Sequence, residues 1–233
     1  MSREVKNDFN ALKKFINEYT LDSFEKDSKL VEYLSQMHKK YYSFMALIYE
    51  LKELKNPIII EGKQSDFLLE TVSDIGNSIF LSINGAYKPS RLILRSSIET
   101  FSKGFVIDSI SDIDQEKRIY QMFDNIKALP FFTTEPNRSI LGDLLTIYSE
   151  LSKDIHTANK DNMQHTSSLN YFPTKSKTSL ESISKINNKI ISSFITLLCL
   201  KFNKEFHTIH HTNKQIIIDN IPKKYRKLIM NIE

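Results

Sequence analysis

The chain has 233 residues, 40% hydrophobic and 26% charged, the balance of an ordinary globular protein that buries a normal core. Five glycines and six prolines are few for this length, and neither G-x-G-x-x-G nor G-x-x-x-x-G-K-[ST] occurs, which argues against sheet-rich and nucleotide-loop folds and for long helices. The net charge of +4 is mild; seven basic against three acidic side chains from Lys201 onward account for all of it, so any pull on nucleic acid concentrates at the C-terminus, unless that end is simply a solvated basic tail.

In chain order, the opening MSREVKNDFNALKK lacks the apolar run of a secretory signal. Val5, Phe9, Leu12, Ile16 and Tyr19 then step four and three, the period of a helix. Leu30, Leu34, Met37, Tyr41, Phe44, Ile48 and Leu51 repeat that step and predict a long helix from about Ser28 to Leu54, ended by Asn56-Pro57. This stripe fits a coiled-coil seam or, more commonly, one face of an intramolecular bundle. Leu68, Val72, Ile75, Ile79 and Ile83 mark a helix over about Ser65–Asn84. Gly85 and Pro89 bracket a tight connection to the next helix, which continues to about Asp108.

Ser111 and Asp114 read as the start of a shorter helix to about Lys127, and Ala128–Pro136 as a loop. Asn137 is placed to cap a helix with the stripe Leu141, Leu144, Tyr148, Leu151 and Ile155. Residues 157–178 form a long polar loop, followed by a helix over about Ser179–Phe206. The tail KQIIIDNIPKKYRKLIMNIE suggests an extended piece or short strand, then a helix from Pro222. The expectation is one all-α domain over residues 1–233, a bundle of about six helices with a small basic C-terminal appendage at 207–233. Cys199, the single cysteine, lies in the apolar run IISSFITLLCL and is expected in the core. No apolar run approaches the ~20 residues of a membrane span, so a reducing cytoplasm is the expected setting.

Two stretches stand out chemically. Gly85–Val106 sets Arg91, Arg95 and Glu99 at four-residue steps on a helix otherwise rich in apolar side chains. Arg95 and Glu99 are either an ordinary exposed pair or a partly buried one that holds a guanidinium in place. Tyr148–His156 puts Ser152 and His156 one turn apart, with His156 at the end of the periodic pattern, where a helix C-terminus favours the protonated imidazole. Taken alone, that position reads better as a capping or surface histidine; the combination with Arg95 favours the chemical reading. His207, His210 and His211 lie close enough to meet one metal on a helix, but H-E-x-x-H is absent and no metal or cofactor is expected. Lys223, Lys224, Arg226 and Lys227 around Tyr225 either contact phosphates or form a solvated helix face.

The pairing of these two stretches resembles the bacterial abortive-infection and toxin-type branches of the HEPN-like helical superfamily. Gly85–Val106 resembles that family's helix with an arginine followed four residues on by glutamate, and Tyr148–His156 its helix ending in histidine. The resemblance implies a helical bundle that dimerises and cuts RNA without a metal. Arg95 would hold phosphate, Glu99 would orient Arg95, and His156 would move the proton. The chain departs from the superfamily's usual arrangement of an arginine and, four to six residues on, a histidine: the residue four before His156 is Ser152, and the nearest upstream arginine is Arg138. A non-catalytic helical module that binds a partner protein or RNA therefore stands beside the ribonuclease as an expectation.

Overall fold

The computed structural model describes residues 10, 14, 27–54, 59–153 and 176–231. Among them every regular element is a helix and none is a strand. Helix α1 spans Ser28–Glu53, with Asp27 as its N-cap: the carboxylate accepts from the Lys29 and Leu30 backbone amides at 3.1 and 3.4 Å. The long stripe on α1 is an intramolecular face, not a seam between chains. Leu30, Met37, Phe44, Ile48 and Leu51 are all buried. The proposed stop at Asn56-Pro57 lies outside the described residues.

Helices α2 (Gly62–Ile83) and α3 (Tyr87–Val106) form a tight antiparallel pair. Gly85 makes the turn between them at φ 75°, a conformation that disfavours a side chain, and Pro89 falls in the first turn of α3, both as expected. Small side chains let these helices approach. Ser78 and Ser90 each donate to the other's carbonyl, at 3.0 and 2.9 Å, and Gly104 faces Phe67 and Leu68 with no room for a Cβ.

The next helix, α4, covers only Ile119–Lys127. Asp114 does not start it, because the carboxylate is held 2.7 Å from Lys63 while residues 111–115 form turns. The expected loop 128–136 contains one helical turn, α5 (Pro130–Thr133), which buries Phe132 against Phe105. Helix α6 spans Asn137–Ser152. Asn137 is its first residue rather than its cap, and its amide donates to the Phe131 carbonyl at 2.9 Å.

Helix α7 (Lys177–Lys201) starts inside the expected 157–178 loop, with Ser176 accepting from the Ser179 amide. It runs through the middle of the core. Phe194 stacks on Phe101 of α3 with ring centres 3.8 Å apart, and Phe44 of α1 tilts against both. Cys199 is fully buried, as expected. The helix stops at Lys201, and a single turn, α8 (Asn203–Phe206), replaces its expected continuation.

The tail departs most from expectation. No strand forms there: α9 (His211–Asn220) is helical across Ile216–Ile218, and α10 (Lys223–Met230) follows Pro222. A lone strand would leave its backbone groups unpaired, whereas a helix satisfies them internally. Side chains then dock it. The Asn220 amide donates to Ser43 Oγ of α1 at 2.6 Å, and Ile217, Ile221 and Ile229 are buried. The tail is thus part of the core rather than an appendage, and the described residues hold ten helical segments rather than about six. No helix among them is long and apolar enough to cross a membrane.

Candidate functional site

Helices α3 and α6 pack side by side, and each offers two polar side chains four residues apart: Arg95 and Glu99 from α3, Tyr148 and Ser152 from α6. All four meet. The guanidinium Nη1 lies 2.9 Å from Glu99 Oε1, Nε donates to Ser152 Oγ at 3.0 Å, and Nη2 donates to the Tyr148 hydroxyl. Tyr148 in turn donates to Glu99 Oε1 at 2.7 Å, and its ring centre is 4.6 Å from Arg95 Cζ. The sharper of the two sequence readings therefore holds in geometry: the ion pair is only about one-quarter exposed, 24% at Arg95 and 23% at Glu99. Arg91, one turn earlier, lies 3.8 Å from Glu150.

Sequence reasoning placed Tyr148 in an apolar stripe and missed its hydroxyl. The signal was there, since Tyr148 and Ser152 repeat the four-residue spacing of Arg95 and Glu99. Burial, and then the hydrogen bond to Glu99 and that residue's charge, hold the Tyr148 phenol well above the usual tyrosine range. It is a fixed donor to the carboxylate at any physiological pH.

Three of its members, Arg95, Tyr148 and Ser152, line a cleft of about 460 Å³ between α3, α4 and α6, with Glu99 holding Arg95 from outside the lining. Phe123 meets the Tyr148 ring edge-on at 5.2 Å, and Tyr120 at the cleft is 89% exposed. Lys127 also reaches it, paired with Asp124 at 3.0 Å. The cleft thus combines a held guanidinium with aromatic faces. His156, the third expected catalytic residue, lies outside the described residues.

The basic residues of the tail share α10. Lys223, Lys224 and Lys227 are exposed. Arg226 is not open to solvent ligands in the same way, because its Nε and Nη2 donate to the Ile221 and Asp219 carbonyls, each at 2.9 Å, and tie α10 to the end of α9. His207 contacts the Ile229 carbonyl through Nε2 at 3.0 Å, and no group of three metal-ligating side chains occurs among the described residues. Comparison with family models, with curated proteins and with solved structures finds no match for this chain.

Proposed function

We propose that the chain is a HEPN-like helical effector of a bacterial defence or toxin-type system that acts on RNA through the Arg95 cleft. The observation that carries this reading is the polar network that holds Arg95 at the cleft wall. A guanidinium fixed on three sides is pre-organised to meet a phosphate with its remaining N–H groups, at little further cost in side-chain order. The exposed Tyr120 ring beside it suits an unstacked base. In the catalytic form of the proposal, the ribose 2′-oxygen attacks the adjacent phosphorus and the bond to the 5′-oxygen breaks. His156 takes the 2′ proton or protonates the departing oxygen, while Arg95 steadies the charge on phosphate and Glu99 steadies Arg95.

Labelled RNA incubated with the protein in EDTA tests this. Cleavage is expected to persist with the metal chelated. It is expected to be lost in His156→Ala without a fall in melting temperature, and nearly lost in Arg95→Lys, which keeps the charge but not the planar fork. Wild-type cleavage by His156→Ala, with unfolding by Arg95→Ala and Glu99→Ala, would reduce the pair to a structural strut.

A second reading is favoured by one specific observation: Nε and Nη2 of Arg95 already donate within the protein, and Nη1 is ion-paired with Glu99, which balances the charge. On that reading the chain is a non-catalytic module that binds RNA or a partner protein, and the exposed lysines of α10 supply the phosphate contacts. The triple change Lys223→Ala, Lys224→Ala, Lys227→Ala should then weaken RNA binding and lower its salt slope by about 2–3, with no product formed by any variant. An unchanged affinity and slope would leave α10 a solvated face.

A further inference from the structure

One face of α4 closes the Arg95 cleft. Tyr120, Phe123, Asp124 and Lys127 follow one another at helical spacing, and all four line the cleft. Phe123 is buried against the Tyr148 ring and fixes this face, while Tyr120 carries the most exposed ring among the described residues. Beside that ring the Asp124 carboxylate and the Lys127 ammonium set an acceptor next to a donor, 3.0 Å apart. Lys127 engages Oδ1, and Oδ2 takes no hydrogen bond among the described residues. Both side chains are more than half exposed, 67% at Asp124 and 52% at Lys127, so the pair contributes little to the fold and is open to a ligand. Elsewhere in the lining, Nη1 and Nη2 of Arg95 each keep a second N–H after their contacts to Glu99 and Tyr148.

An aromatic ring takes any base, but a carboxylate beside an ammonium sorts them. On its Watson–Crick edge guanine alone sets two N–H donors side by side, N1–H and N2–H, with the O6 acceptor next to them. Adenine, cytosine and uracil each offer a single donor there, so against this pair they form one bond fewer. Hydrogen bonds to ionised groups are roughly twice as strong as neutral ones, and the extra bond therefore decides. We propose that the cleft selects guanine in single-stranded RNA. The base lies on Tyr120, donates N1–H and N2–H to the two oxygens of Asp124 and accepts from Lys127 at O6, while the adjacent phosphate meets Arg95. The proposal rests on the reading of this cleft as an RNA site and adds the base that it takes. Asp124 is then a specificity residue, away from the reacting atoms.

Fluorescence anisotropy on the full chain tests it, with short labelled oligouridylates whose central base is U, G, A, C or hypoxanthine. Their sugars are 2′-fluoro, so the 2′-oxygen cannot attack and binding is read without cleavage. The G strand should bind about tenfold more tightly than the U strand, the scale of one bidentate base contact. Hypoxanthine, which lacks the 2-amino group, should fall between them. Asp124→Asn changes the net charge and so shifts every strand, and the G-to-U ratio is the measure: it should collapse to about one. Tyr120→Ala should weaken all strands by about tenfold, since stacking does not choose between bases. Lys117→Ala, at the exposed turn before α4, should leave both affinity and ratio unchanged. Equal affinity for all strands, with binding still lost in Arg95→Ala, overturns the guanine proposal and leaves the cleft as an RNA site. A G preference that survives Asp124→Asn, or a preference for another base, also overturns it. Binding of no strand, or binding indifferent to Arg95→Ala, brings down the RNA reading of the cleft and the guanine proposal with it. If Arg95→Ala does not fold, Tyr120→Ala makes the same distinction from the exposed rim of the cleft.

Discussion

Tyr148 touches both members of the ion pair, so its hydroxyl is the most informative single atom to remove. Tyr148→Phe keeps the ring against Phe123 and leaves Arg95 and Glu99 each one hydrogen bond short, at a cost of about 1–3 kcal/mol. The pH dependence of that loss has a definite sign. The folded phenol titrates above its unfolded value, so the stabilisation is complete below about pH 10 and is lost as pH rises toward the folded pKa. Circular dichroism melts should show a constant gap between the wild type and Tyr148→Phe near neutral pH, shrinking above about pH 10. A gap that widens in alkali would contradict the donor role assigned to the hydroxyl. Glu99→Gln should cost less in RNA binding than Arg95→Ala but should lower the melting temperature, because a partly buried arginine loses its counter-charge.

At the scale of elements, the close approach of α2 and α3 rests on small residues, and the two glycines of α3 and α6 should respond in opposite directions. A Cβ at Gly104 would lie 2.9 Å from Phe67 Cβ and 3.1 Å from Leu68 Cγ. Phe67 Cβ moves only with its backbone, so Gly104→Ala must push the helices apart and should destabilise by about 1–3 kcal/mol despite alanine's better helix propensity. Gly142 in α6 has nothing within 4 Å of a built Cβ, and Gly142→Ala should stabilise by about 0.5–1 kcal/mol. Urea melts of the pair measure both, and equal signs would mean that packing at 104 is looser than described. The α9 segment makes the same point about context. Three consecutive isoleucines favour a strand by propensity, yet the described residues hold no strand to pair with, and Asn220 and Ser43 lock the segment to α1 as a helix.

For the whole molecule, one continuous core joins α1 to α10. Cys199, at its centre, reports on that core. Burial raises its thiol well above the ordinary range, so a thiol reagent should label it only through unfolding, at a rate that rises with denaturant in step with the loss of helix. Fast labelling of the native chain would show a breach near α7. The α1 stripe, once consistent with a dimer seam, lies inside this core, so a homodimer of the kind the family resemblance implies must form through another surface. Light scattering at micromolar concentration settles the mass; a monomer would rule out a catalytic site shared between two copies.

What the sequence determined by itself was whatever repeats locally. The four-three step placed α1 almost to the residue, Gly85 and Pro89 placed the α2–α3 turn, and the apolar run around Cys199 placed it in the core. The Arg95–Glu99 pair was legible for the same reason, since both lie on one helix one turn apart. The tertiary structure decided everything that depends on which face meets which. Tyr148 joins Arg95 across 53 residues, Asn220 joins Ser43 across 177, and Lys40 reaches Ser192 across 152. Helical periodicity says that a side chain faces inward or outward, but not which partner helix waits there. Those contacts came from packing the ten helical segments of the described residues around a phenylalanine core, and they turned a set of four-residue spacings into one polar network beside a cleft.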